Sequence, residues 1–235
     1  PKLKEMGVKF VVASGRQYCS LLSDFQEHTK DVVLCSENGA FIVDDGQELY
    51  AGCMTREQVK MSLDAAYAVE GIEPVVCAKY VTYTTSQEMA DFLGSPKFKY
   101  KMAVVDDLYD IDEDIIKISM AVMNGEDNVQ MFRKVRAVLD ESLNLVTSGP
   151  DCMDTGVYGI NKGRAVEVLQ EMWGITPAET MVIGDQYNDV DMFDKADYSF
   201  AMAGAVEGVK KKARFIAGSN NEGGVVKAIR EMTGI

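Results

Sequence analysis

Asp185, Asn188, Asp189 and Asp191 crowd into the stretch VIGDQYNDVDMF, residues 182–193. An apolar run ends at Gly184, so these oxygens gather where a strand gives way to a helix. Mg2+ takes few protein carboxylates and completes its shell with water and a substrate phosphate. Asp185, Asn188 and Asp189 therefore form a candidate metal set. The competing reading is Asp185 as a helix cap with solvated acids behind it, and that is the reading for Asp191 and Asp194. Two further groups suit an anion. Ser14 and Gly15 follow the apolar run VKFVVA and open a turn, where a hydroxyl and backbone N–H groups make either an anion seat or an ordinary helix cap. Lys162 opens a predicted helix, where a cation opposes the helix dipole. It needs an anionic partner, such as phosphate, or full solvation. Asn38-Gly39 follows DVVLCSE at the end of another strand.

These features are positioned by alternating strands and helices. VKFVVAS and DVVLCSE read as strands, and Asp44-Asp45-Gly46 as a turn. From about residue 51 the texture changes. TREQVKMSLDAAYAVEG reads as a helix with Thr55 at the N-cap and Gln58 three residues on. PVVCAKYVTYTT and DIIKISMAVM read as strands, and LNLVTSGPDCMDT as short strands. GEDNVQMFRKVRAVLDES reads as a helix with Val129, Phe132, Val135 and Val138 on one face. After residue 155 the alternation returns: helix KGRAVEVLQEMWG, strand TMVIGD, helix NDVDMFDKA, strand YSFAM, helix AVEGVKKKA, strand RFIAG and helix EGGVVKAIREMTG. The predicted fold class is α/β: a parallel-sheet core of residues 1–50 and 155–235, with an α+β insert over 51–154. Ligands of open α/β sheets sit beyond the carboxyl ends of strands, so the three strand-end features are expected to share one crevice.

Composition narrows the chemistry. A net charge of −13 over 235 residues opposes general nucleic-acid binding. No apolar run approaches the ~18 residues that span a membrane, and no signal peptide opens the chain. Cys19, Cys35, Cys53, Cys77 and Cys152 include no CxxC pair, which reads as reduced thiols in a cytoplasmic protein. His28, the one histidine, lies in the polar stretch DFQEHTKD, and no GxSxG elbow accompanies it. Acid–base work therefore falls to carboxylates or a lysine. Met120 and Met123 read as core filler, Trp173 as a core anchor and Lys210–Lys212 as a solvated helix face. PKLKEMG reads as the end of a helix, with Gly7 at C′. A helix feeding a parallel strand has a strand before it, so residues upstream of Pro1 are expected.

VVASGR, GINKGRAVEVLQEMWGI, VIGDQYNDVDMF and AMAGAVEGVKKKARFIAGSNNEGGVVKAI occur in that order. Together they resemble the haloacid dehalogenase superfamily, specifically its Cof-type phosphatases with a large α/β cap. The resemblance covers nearly the whole chain. It implies a Rossmann-like core, a cap at about 51–154, and Mg2+-dependent hydrolysis of a small phosphorylated metabolite such as a sugar phosphate. It implies that Ser14 and Gly15 bind the phosphoryl group and that Lys162 neutralises it. It implies that Asp185 ligates Mg2+ with support from Asn188 and Asp189, and that Asn38 and Gly39 line the site near the cap. The family's nucleophile and acid–base group are aspartates of a DxDGT-like motif on the first strand. That motif is absent before Ser14 and is expected upstream of Pro1, so the chain as given is expected to be inactive. A second departure is AMAGA, where Gly204 stands in place of the family's frequent Asn. The alternative function is a non-catalytic phosphometabolite-binding protein. Metal-free dehalogenation is disfavoured by the Lys162, Asp185, Asn188 and Asp189 set. No nucleic-acid or membrane partner is expected, and the oligomeric state is not readable.

Overall fold

The computed structural model describes residues 2–123 and 125–235. They fall into two compact units, residues 11–159 and residues 2–10 with 160–235. This compact division keeps residues 11–50 with the segment 51–154.

In the Val11–Gly159 unit, a four-stranded sheet runs in the order β1 (Val11–Ala13), β2 (Val33–Ser36), β3 (Phe41–Asp44), β4 (Gln47–Ala51). β1 and β2 are parallel, and β2, β3 and β4 form an antiparallel meander. The β3–β4 hairpin turns at Asp45 and Gly46, both at positive φ (45° and 80°), the backbone a two-residue hairpin with primed twist requires. β1 is shorter than VKFVVAS suggests, because the ladder begins only where Val11 meets Val33. Helix α2 (Tyr18–Phe25) follows it.

The same unit holds a six-stranded sheet, β5 (Ile72–Ala78), β6 (Thr82–Thr84), β7 (Met102–Val104), β8 (Ile115–Val122), β9 (Leu143–Gly149) and β10 (Cys152–Val157), in the order β7-β6-β5-β8-β10-β9. Strand alternation gives it two faces. Val76, Ile118, Met120 and Met153 face a core shared with Leu63 of α3 (Arg56–Tyr67) and with Met131 and Val135 of α5 (Asn128–Val138). Cys77, Lys117, Ser119 and Asp154 fall on the other face by the same alternation, with Lys117 opposite Cys77 and Ser119 opposite Asp154. The capping box of α3 forms: Gln58 N donates to Thr55 Oγ1 at 3.2 Å, and Thr55 N to Gln58 Oε1 at 2.9 Å.

Two expectations in this unit are corrected, and two elements were not anticipated. PVVCAKYVTYTT is two strands, because Ala78 N donates to Val81 O and turns the chain between them. Helix α4 (Gln87–Gly94) and β7 carried no clear sequence signal, β7 being three residues beside lysine-rich KFKYK. The buried stripe of α5 is Met131 and Val135; Val129 and Val138 are exposed. Steps of three each slip about 60° backwards around a helix of 3.6 residues per turn. After three such steps Val138 lies opposite Val129.

The other unit contains α1 (Lys2–Glu5), α6 (Lys162–Trp173), β11 (Met181–Gly184), α7 (Val190–Phe193), β12 (Tyr198–Met202), α8 (Glu207–Lys210), β13 (Phe215–Ala217) and α9 (Gly224–Thr233). Its three strands form a parallel sheet in sequence order. Phe200, Met202, Ala217 and Ala228 form a buried cluster between this sheet and α9. α1 and Gly7, at φ 75°, agree with the expected helix end; Pro1 of that stretch lies outside the described residues. Trp173 is half-buried rather than a core anchor, and Lys9 Nζ lies 5.5 Å from its ring centre. No helix among the described residues is long and apolar enough to cross a membrane.

Candidate active site

Lys162 opens α6 behind Asn161, whose side chain accepts from Arg164 N at 2.8 Å and caps the helix. The lysine is not solvated. It is buried, and its Nζ donates to Asp189 Oδ1 at 2.7 Å, with each side chain 7% exposed. Asp189 Oδ2 accepts from the backbone N–H groups of Asp185 and Gln186, at 2.9 and 3.0 Å. Both oxygens of Asp189 are thus engaged by protein donors. One carboxylate fixes the lysine and the loop that carries Asp185.

Two glycines make this closeness possible. A Cβ on Gly184 would collide with the Asp189 side chain, and one on Gly163 with the backbone of Asp191. Only glycine lets β11 end and α6 begin at these separations. Asp185 itself is half-buried, and its Oδ2 accepts from Gln186 Nε2 at 3.3 Å. Asn188 is exposed. Mg2+ uses few protein carboxylates and hard oxygen donors, so an accessible carboxylate at Asp185 is of the type it takes. No group of three His, Cys, Asp or Glu side chains among the described residues is spaced as a metal cage.

Ser14, Gly15, Asn38 and Gly39 lie in the other compact unit, and there they form one stitched structure. Ser14 N donates to Cys35 O at 2.8 Å, Asn38 N to Ser14 O at 3.0 Å and Glu37 N to Arg16 O at 3.0 Å. Asn38 packs against the open face of Gly15, where an added Cβ would stand 2.9 Å from Asn38 Oδ1. Glu37, Asn38 and Gly39 all take positive φ (51°, 56° and 97°). A left-handed residue other than glycine costs roughly 1–2 kcal/mol, so this loop is held against its own preference. Arg16 N donates to Ser14 Oγ at 3.2 Å, which partly occupies the hydroxyl expected to meet an anion.

The haloacid dehalogenase-like hydrolase family profile matches residues 1–229. The chain belongs to this family. As a haloacid dehalogenase-like hydrolase it is similar to 5-amino-6-(5-phospho-D-ribitylamino)uracil phosphatase YbjI of Escherichia coli strain K12, at 28% identity over 97% of this chain and 84% of that protein. A shorter match, 30% identical over 51% of this chain and 47% of the relative, is to the phosphatase of the same description, YcsE, of Bacillus subtilis strain 168. The structure superposes on SMU.1108c from Streptococcus mutans UA159 with a TM-score of 0.86 at 26% identity, over 100% of this chain and 89% of that one. It shares its fold with the subclass IIB sugar phosphatase BT4131 (TM-score 0.80, 20% identity, 100% and 89% covered).

Sequence reading passed over three groups in this hydrolase: Glu37, Lys117 and Asp154. Lys117 Nζ donates to Asp154 Oδ2 at 2.9 Å and lies 2.8 Å from Glu37 Oε2. The second contact is an ion pair by distance without hydrogen-bond alignment. Burial pushes the Glu37 carboxyl up, and the pull of Lys117 only partly offsets this. The carboxylates of Asp154 and Glu37 hold the Lys117 ammonium well above its usual value, against its own desolvation. A signal did exist: Lys117 interrupts the apolar run DIIKISMAVM, and a lysine inside a buried strand needs a carboxylate. Gln17 was also missed. It is fully buried, donates to Thr82 Oγ1 at 2.6 Å and accepts from Lys101 N at 3.0 Å.

Proposed function

We propose that this protein hydrolyses a small phosphorylated metabolite, a sugar or polyol phosphate, by Mg2+-dependent phosphoryl transfer. The observation that carries the reading is the Lys162–Asp189–Asp185 arrangement: a buried lysine aimed by a fully engaged carboxylate, beside a second carboxylate left to the surface. Phosphoryl transfer asks mainly for positioning and for neutralisation of charge on the transferring group. Lys162 supplies the fixed cation. Asp189 is a positioning residue that keeps the ammonium and the Asp185 loop in place. Asp185, with Asn188, would hold Mg2+, which supplies further charge neutralisation at the phosphoryl oxygens when bound. In the other unit, Ser14 and Gly15 offer a hydroxyl and backbone N–H groups suited to a phosphoryl group, with Asn38 packed against Gly15. Residues 51–154 are the cap that selects the leaving group. The relatives named for phosphatase action on a phosphoribityl compound, and the fold shared with a sugar phosphatase, support the substrate class.

The five free cysteines support a reducing, cytoplasmic setting. The test is phosphate release from a panel of sugar and polyol phosphates with Mg2+ and after chelation. Release is expected only with Mg2+, and release that persists after chelation would contradict the reading.

A further inference from the structure

Gln17 stands at the N-cap of α2, just beyond the Ser14-Gly15-Arg16 turn. Glutamine is not among the preferred caps, and its side chain here accepts from no N–H of the helix. It is nevertheless fully buried, and both ends of its amide are used elsewhere. Nε2 donates to Thr82 Oγ1 at 2.6 Å, and Oε1 accepts from Lys101 N at 3.0 Å. Thr82 N in turn donates to Lys101 O at 2.8 Å. The amide thus closes a ring of hydrogen bonds with the chain where β6 and β7 begin to pair.

The rest of that helix face follows suit. Positions 17, 20 and 24 share one side of α2, and each meets the segment 82–101. Ser20 Oγ donates to Phe98 O, and Asp24 pairs with Lys99 at 2.5 Å. The Asp24–Lys99 pair is solvent-accessible, and water replaces such a contact at little cost. Gln17 differs because it is buried: loss of either of its bonds strands a polar group away from water.

Gln17 is also the member of the row next to the turn suited to a phosphoryl group. Asn38 N donates to Ser14 O, and Glu37 N to Arg16 O, so the loop after β2 holds that turn from one side. Gln17 holds its far end to residues 82 and 101, within the segment read as the cap.

We propose that Gln17 is a positioning residue for the phosphoryl seat, fixing the Ser14-Gly15 turn by tying its end to Thr82 and Lys101. The inference rests on the reading of Ser14 and Gly15 as that seat. Gln17 acts through the turn and touches no ligand itself. A consequence is that Thr82, a buried residue of β6 with no place in the seat, governs phosphate affinity.

The experiment is a phosphorus NMR titration of inorganic phosphate, with Mg2+, into the wild-type protein, Gln17→Met, Thr82→Val and the double variant, with the melting temperature of each. Inorganic phosphate has no leaving group, so it reports on the seat alone. Q17M keeps the side chain's length and loses both bonds, and T82V keeps the shape of Thr82 and loses one. Each single variant is expected to bind phosphate about tenfold more weakly, the worth of a buried hydrogen bond. The double variant is expected to bind no more weakly than Q17M, because both changes act through one contact. Unchanged phosphate affinity in folded Q17M and T82V, whatever their melting temperatures, would overturn the proposal and leave the phosphatase reading standing. If Q17M does not fold, T82V decides by the same criterion. If the wild-type protein binds no phosphate, the seat itself fails and the proposal falls with it.

Discussion

Two buried lysines in this protein meet carboxylates in opposite ways. Lys162 has one partner, Asp189, and the charges balance; both oxygens of Asp189 are bonded, one to the ammonium and one to two backbone N–H groups. Lys117 has two partners, Glu37 and Asp154, and a Glu37 oxygen is left unbonded. The closed pair fixes the ammonium in one position, and the open triad leaves a buried carboxyl incompletely bonded. Similar residue types thus separate into a fully bonded pair and an incompletely bonded cluster by their hydrogen-bond accounting.

The largest effect is expected where the triad loses its cation. Lys117→Met leaves two carboxylates buried together and should destabilise the protein by roughly 3–5 kcal/mol, read as a lower urea midpoint. An unchanged midpoint would mean that the cluster is wetter than the structure shows. Next comes the closed pair. Asp189→Asn keeps the shape but offers one acceptor oxygen to three donors, and should cost about 1–3 kcal/mol. It should also lower kcat more than it raises KM, because the lysine and the Asp185 loop lose their fixed positions.

Glu37→Gln sharpens the comparison with a smaller effect of opposite sign. Burial raises the Glu37 carboxyl above its ordinary value, so the folded state holds a proton that the unfolded chain has released. From the ordinary carboxylate value of about 4.3 upward, wild-type stability falls as pH rises toward the raised value. The amide has no such titration. The melting temperature of E37Q should therefore exceed that of wild type, by a margin that widens as pH rises above about 4.3. A constant margin would show that Lys117 fully compensates Glu37.

Much of the fold was legible because it rests on local signals. The Thr55–Gln58 capping box, the Asp45-Gly46 turn and the apolar strands of residues 181–217 each state their conformation in a few residues. Lys162, Asp185 and Asp189 were legible as a group because they mark the start of a helix and the end of a strand. Their division of labour was not: only the structure shows that Asp189 is spent on Lys162 and on the backbone. Glu37, Lys117 and Asp154 escaped notice because 80 residues separate Glu37 from Lys117 in the chain. Only the pairing of β8 with β10, and the left-handed turn after β2, bring them together. The stripe of α5 was misread because steps of three resemble a helix face over one turn and diverge over three.

The most direct test of the account is Mg2+-dependent phosphate release by the protein and its Asp185→Asn variant, on a panel of sugar and polyol phosphates. The account predicts turnover that stops on chelation and falls by at least about a hundredfold in D185N, the scale on which single electrostatic groups act in catalysis. Turnover that survives both chelation and the loss of Asp185 would contradict it.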